Sequence, residues 1–208
     1  MRYLVFNSFC FLLIACLSPY KKLQKTMGDV TCVQKFKPLF ISTLYKTQVS
    51  VTGKQITGIL LFKTMPDSSL RIVFSNEMGF KFFDFEFSAD NGFKVFYIMD
   101  QLDKKSVIKT LRKDFELVLL LHTEPAKAFI LKDSQYNYFA FPQEKGVNYY
   151  ITDPACTQLL RMEKASQKKP VVIALMQDYR NGIPDTIGIS HKNFKFTIGL
   201  KRFENVIR

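Results

Sequence analysis

The sequence predicts a mainly β protein of α+β type, a single strongly curved antiparallel sheet wrapped around one inserted helix. Three observations carry this. About eleven short β-prone runs follow one another at close spacing, separated by Gly, Pro, Asn and Asp turn signals. One run, Phe83-Asp84-Phe85-Glu86-Phe87, alternates aromatic and acidic residues with period two, so its phenylalanines share one face. One segment midway breaks that rhythm with helical spacing. No repeat or second domain is visible.

In chain order, a weakly periodic helical or irregular segment at 30–37 is limited by Pro38. Runs 43–51 and 55–63 flank Thr52-Gly53-Lys54, a hairpin turn. Residues 70–75, 80–87 and 93–99 are the next strands, divided by Asn76-Glu77-Met78-Gly79 and Ala89-Asp90-Asn91-Gly92. Val107, Ile108, Leu111, Phe115, Val118 and Leu119 then recur at helical spacing between Asp103 and Leu121. Asp100 or Asp103 is the expected N-cap, and Pro125 lies beyond the end. A helix with one apolar stripe needs a partner surface, and the sheet is the only candidate. Strands resume at 128–132, 136–141, 148–152, 158–164, 171–179, 185–190 and 194–203.

The N-terminus is the most specific signal. A short apolar run from Tyr3 to Ala15 follows Arg2 and is too short to span a bilayer, which takes about 20 apolar residues. It ends in Leu13-Ile14-Ala15-Cys16, which resembles the bacterial lipobox; an ordinary secretory signal containing a cysteine is the alternative. Cys10, after Asn7-Ser8-Phe9, is a poorer match. Cys16 is thus the expected lipidation site, with residues 1–15 as signal peptide, 16–28 as lipidated N-terminus and tether, and 29–208 as the folded domain.

The formal charge of +12 comes from lysines scattered along the chain, which reads as a solvated surface. Lys21 and Lys22, just after the anchor, suit anionic headgroups. Nucleic acid is not an expected partner of an exported lipoprotein. Cys32 and Cys156 could pair in an oxidising compartment, but spacing does not fix their distance. Two small buried residues are expected. The 21 phenylalanines call for a large core or an apolar surface meant for lipid or ligand.

Catalytic signals are few. His122 and His191 stand in no metal-binding spacing, and Ser190 fails the G-x-S-x-G pattern because Lys192 replaces the second glycine. Asp84 and Glu86 read as a solvent face. No enzyme activity, metal or cofactor is expected. The loop Ser75 to Phe80 is unusual, since it sets Met78 among polar neighbours. Met78 either folds back into the core or stands out at a loop tip, where it could enter lipid or an acyl-binding groove.

Gly58-Ile-Leu-Leu-Phe-Lys63, Leu70-Arg-Ile-Val-Phe-Ser75, the Met78-Gly79 loop, the strand 80–87, Gly182-Ile-Pro-Asp-Thr-Ile187 and the closing strand 194–203 together resemble the bacterial lipoprotein-localisation proteins LolA and LolB, more closely the lipid-anchored receptor LolB. The match is one of layout and covers most of residues 40–203. It implies an unclosed barrel covered by one or two helices over an apolar cavity for the acyl chains of other lipoproteins. It also implies a periplasmic LolA-like carrier as partner, a monomer, and an outer-membrane position facing the periplasm. Leu17-Ser18 carries no acidic residue after the anchor, unlike inner-membrane lipoproteins. The residue that helps hand cargo to the membrane in that family matches Met78, with Gly79 and Phe80 in the same loop. Here methionine stands where leucine is common, and Asn76-Glu77 where proline is common. Phe83, Phe85, Ile108, Leu111 and Phe115 are the expected cavity lining, with plain core as the alternative for each. A binding or scaffold lipoprotein that uses the same half-barrel for another hydrophobic ligand is the alternative function.

Overall fold

The computed structural model describes residues 18–203 except Asn91 and Gln167; the expected lipobox and Cys16 lie outside the described residues. Its thirteen strands are β1 (Gln24–Thr26), β2 (Ser42–Val51), β3 (Lys54–Thr64), β4 (Leu70–Ser75), β5 (Lys81–Phe87), β6 (Phe93–Ile98), β7 (Phe129–Lys132), β8 (Asn137–Pro142), β9 (Val147–Thr152), β10 (Leu159–Ala165), β11 (Pro170–Arg180), β12 (Ile183–His191) and β13 (Phe196–Arg202). The one α-helix among the described residues, α1 (Lys105–Val118), separates β6 from β7.

All thirteen strands form one antiparallel sheet in the order β1-β7-β8-β9-β10-β11-β12-β13-β2-β3-β4-β5-β6. β1 and β6 are its edges, so the sheet does not close into a barrel. Nearly every connection is a hairpin. The two exceptions are the link from β1 through the 3-10 helix Val30–Phe36 to β2, and the longer one from β6 through α1 to β7, which carries the chain from one edge region to the other with the helix crossing the concave face on the way.

Local chemistry fixes the register. In the β2–β3 hairpin Val51 pairs with Lys54, leaving Thr52 and Gly53 as a two-residue turn with φ of +47° and +86°, the primed geometry that matches strand twist. Gly58 is required for another reason: a Cβ there would sit 2.2 Å from the Ser75 carbonyl oxygen of β4. On β5, Phe83, Phe85 and Phe87 face the core as their alternation predicts. Asp84 does point to the other face, but it is covered rather than solvated. Arg71 lies 2.7 Å away across the strand pair and Lys81 2.8 Å away along the strand.

The core fills the concavity under α1. Phe62, Phe85 and Phe115 are fully buried, and Phe115 on the helix meets Phe62 edge-on at 6.1 Å and Phe83 at 6.0 Å. Tyr45 and Tyr150 are buried whole because each hydroxyl finds a carbonyl, that of Pro184 at 2.6 Å and that of Leu117 at 3.2 Å. The helix start differs from expectation. Lys104 occupies the N-cap position without a side-chain bond, since Asp100 and Asp103 fall in the preceding turn.

The N-terminal segment is not a free tether. From Ser18 the chain makes a 3-10 turn at Pro19–Lys22 and then pairs as β1 with β7. Tyr20 stacks on Tyr149 at 4.3 Å and donates a hydrogen bond to Glu163, covering the outer face of β9 and β10. A second correction concerns the cysteines. Cys32, in the 3-10 helix Val30–Phe36, is joined to Cys156 by a disulfide. That bond ties the segment before β2 to the β9–β10 loop across 124 residues of sequence. Among the described residues no helix is long and apolar enough to cross a membrane.

Candidate apolar cavity and its rim

Antiparallel pairing puts alternate turns at one end of the sheet. The β2–β3 turn, the β4–β5 loop, the β12–β13 turn and the β10–β11 turn lie at one end, here called the upper end. Phe196 pairs with Val51 and Val172 with His191, which sets the β2–β3, β12–β13 and β10–β11 turns at one level, whereas Ser75 pairs with Ile59, so the β4–β5 loop starts five residues further down β3.

A cavity of about 360 Å³ lies toward this end between the N-terminal half of α1 and the concave face. Such a volume is within the range of small-ligand pockets. Phe74, Phe82 and Phe83 form one wall, Val49, Val51, Leu60 and Ile198 the floor, and Val107, Leu111 and Phe115 the roof. Phe194 and Phe196 complete it from the β12–β13 turn. Its few polar side chains do not make it a wet site; Thr47, for one, turns its hydroxyl to the Tyr45 carbonyl oxygen at 3.1 Å.

Of the expected lining, Phe83, Leu111 and Phe115 face the cavity, whereas Phe85 and Ile108 do not. Phe85 is completely buried lower in the core, stacked on Phe83 at 4.5 Å and packed against Phe93. Ile108, half-buried, sits one position off the Val107–Leu111–Phe115 row, whose i, i+4 spacing defines the inward stripe. Phe82 was missed. Period two assigns it to the outer face, but a register shift beside Ser75 brings both Phe82 and Phe83 to the cavity.

The β4–β5 loop rises from the cavity wall. Asn76 organises it: its side-chain oxygen accepts from the backbone N–H of Met78 at 3.0 Å and of Phe80 at 2.8 Å. Gly79 takes a φ of +87°, a conformation glycine adopts at least cost. The loop thereby presents Met78, 82% exposed, and Phe80, 67% exposed, with Phe74 and Phe82 of the cavity wall close on either side in sequence. Met78 does not fold back into the core.

Each histidine lies beside a carboxylate of α1. His191 Nε2 lies 2.8 Å from Asp114 Oδ2 of α1, and both side chains are buried. Burial holds the Asp114 carboxyl above the usual range, and the His191 hydrogen bond pulls against that shift. His122 lies 3.5 Å from Glu116 just beyond the helix. Among the described residues no group of three or more His, Cys, Asp or Glu is placed to hold a metal ion.

No protein-family model and no curated protein matches the chain. Solved structures do. A domain from Vibrio parahaemolyticus, whose name assigns it provisionally to outer membrane lipoprotein sorting, superposes with a TM-score of 0.50 at 8% identity, covering 84% of this chain and 90% of that one. A DUF1329 family protein from Desulfovibrio piger matches with a TM-score of 0.45 at 9% identity, covering 86% and 91%. The protein thus has a fold of the LolA/LolB type: one open antiparallel sheet with a helix over its concave face. At such identity the likeness speaks for the fold alone.

Proposed function

We propose that the protein is a lipid-anchored outer-membrane lipoprotein, facing the periplasm, that binds the acyl chains of other lipoproteins and inserts them in the outer membrane. The observation that carries this reading is the adjacency of an apolar cavity under α1 and an exposed apolar loop tip at Met78 and Phe80. Acyl chains gain about 0.8 kcal/mol per methylene removed from water. A carrier offsets the exposure with a dry pocket and releases the chains where an apolar tip meets the bilayer.

Several features support the reading. The Cys32–Cys156 disulfide suits an oxidising, exported environment. The lipobox-like Leu13-Ile14-Ala15-Cys16 supplies the anchor. A LolA-like carrier would deliver the cargo, and the protein would act as a monomer that binds rather than catalyses.

The test is cargo transfer. A periplasmic carrier loaded with an acylated lipoprotein is mixed with membranes bearing the parent protein or its Met78→Glu variant. Delivery by the parent and loss in the variant is the expected outcome. Delivery by neither, with folding intact, would overturn the receptor reading and leave a half-barrel that binds another hydrophobic ligand.

A further inference from the structure

The fold sorts the charges that look scattered in sequence. Three neighbouring upper turns, β10–β11, β12–β13 and β2–β3, carry Lys168, Lys169, Lys192, Lys195 and Lys54, all exposed, and no carboxylate. The turns are contiguous in space: Lys192 N–H donates to the Val171 carbonyl oxygen at 2.9 Å, and Thr52 N–H to that of Lys195 at 2.9 Å. Of the flanking upper turns, β8–β9 carries Glu144 and Lys145 and the β4–β5 loop carries Glu77 beside Met78, so the basic excess is concentrated in these three.

Several turns at the opposite end have the opposite character. The β3–β4, β5–β6, β7–β8 and β9–β10 turns hold Asp67, Asp90, Asp133 and Asp153, one each, and no lysine or arginine. These aspartates accept backbone N–H bonds of their own turns, from Ser69, Gly92, Gln135 and Thr157, which fixes their place at that end. The β11–β12 turn at the same end differs, with Arg180 next to it and Lys37 close by through the Leu39 N–H to Gly182 carbonyl bond, so the contrast lies between these turns and not between whole ends.

Apolar tips stand on the basic end. Phe194, at the centre of the lysine arc between Lys192 and Lys195, is 47% exposed and also lines the cavity. Met78 and Phe80 project from the same end. Lysines around exposed aromatic and apolar side chains complement a surface that is anionic at the headgroups and apolar beneath them.

We infer that the upper end, with Phe194 at the centre of the Lys54–Lys168–Lys169–Lys192–Lys195 arc, docks on an anionic lipid bilayer with the cavity mouth facing the membrane. This rests on the proposed acyl-chain function and adds the lipid class and the orientation. The lysine arc and the apolar tips it surrounds set this orientation.

The chain has no tryptophan, which makes the test direct. Phe194→Trp in the full chain gives a single reporter of depth. Its emission and its quenching by brominated lipid are followed with vesicles of phosphatidylcholine alone or with one-third phosphatidylglycerol. A second protein adds Lys168→Gln, Lys169→Gln, Lys192→Gln and Lys195→Gln. The N-terminal anchor segment is common to both, so differences report the rim.

Quenching in the anionic vesicles is expected, weakening by roughly fivefold in partitioning per lysine removed and thus about 10²- to 10³-fold for four. Added salt should weaken it as well. Equal quenching in both vesicles, unaffected by the four substitutions, would overturn the inference. Tryptophan that stays in water with every vesicle would also overturn it and assign the lysines to an acidic protein partner. Binding of a fluorescent acyl probe, measured on the same proteins, separates the two readings. Intact probe binding without lipid selectivity sinks the docking alone; absent probe binding in the parent sinks the cavity function and leaves the vesicle result to decide docking.

Discussion

Asp114 on α1 and His191 at the end of β12 form a buried pair 2.8 Å apart, and His191 packs in turn against Phe194 at 4.6 Å and Phe196 at 5.0 Å. The helix over the cavity is thus pinned to the turn that closes the cavity's side. The pair joins residues 77 apart in sequence, and Lys164 of β10 adds a nearby positive charge.

His191→Ala should therefore destabilise the protein by about 3 kcal/mol, because it leaves a buried carboxyl without its partner. The loss should depend on pH in a stated direction. Burial already holds the Asp114 carboxyl above its ordinary range, and without His191 only more distant Lys164 opposes that shift. The folded variant then binds the proton more tightly than the unfolded chain, so its stability rises as pH falls from neutral through the raised value. Urea denaturation at pH 7.5 and 5.5 should find the gap to the parent narrower at the lower pH.

Reducing the Cys32–Cys156 bond should lower stability substantially. It closes a loop of 124 residues, for which loop entropy gives about 5 kcal/mol. Denaturant midpoints with and without dithiothreitol check this, and a Cys32→Ala, Cys156→Ala double variant should be insensitive to reductant.

Tyr20→Ala should loosen β1 at the sheet edge. It removes the stack on Tyr149 and the hydrogen bond to Glu163, which keeps Arg161 at 2.7 Å. The cost should be about 1–3 kcal/mol, and Tyr20→Phe, which keeps the stack, should lose less. Hydrogen exchange in β1 and β7 should accelerate in the alanine variant before the rest of the sheet responds.

Thr110→Trp should fill the cavity from the helix side. Thr110 is half-buried on its wall, so the larger ring enters free volume. Acyl-probe affinity should fall at least tenfold, by about 1.4 kcal/mol or more, while the melting temperature changes little. Fluorescence titration on both proteins decides it.

Gly58→Ala should destabilise by roughly 1–3 kcal/mol, since the added carbon has no room against the β4 backbone. A chemical denaturation curve suffices, and Gly188→Ala, where no atom lies within 4 Å of the added carbon, is the control.

Much of the sheet was legible because its signals are local. Thr52-Gly53 announces its hairpin, the alternation at Phe83-Asp84-Phe85-Glu86-Phe87 places three rings in the core, and the Val107–Leu111–Phe115 row announces an inward helix face. The unusual placement of Met78 was also visible, although its direction was not. What escaped has a common cause. β1 is three residues long with no apolar alternation and exists because β7 offers an unpaired edge. Phe82 faces the cavity because of a register shift that only the paired strands define.

Taken alone, the sequence determined the strand and helix periodicities, the turns and the lipobox-like N-terminus, since each depends on residues within a few positions of one another. Tertiary structure decided the Cys32–Cys156 bond, the Asp114–His191 pair, the cavity lining and the gathering of lysines at one end. The physical reason is the antiparallel meander. Successive turns alternate between the two ends of the sheet, so lysines distant along the chain come together in neighbouring turns only once the strands have paired.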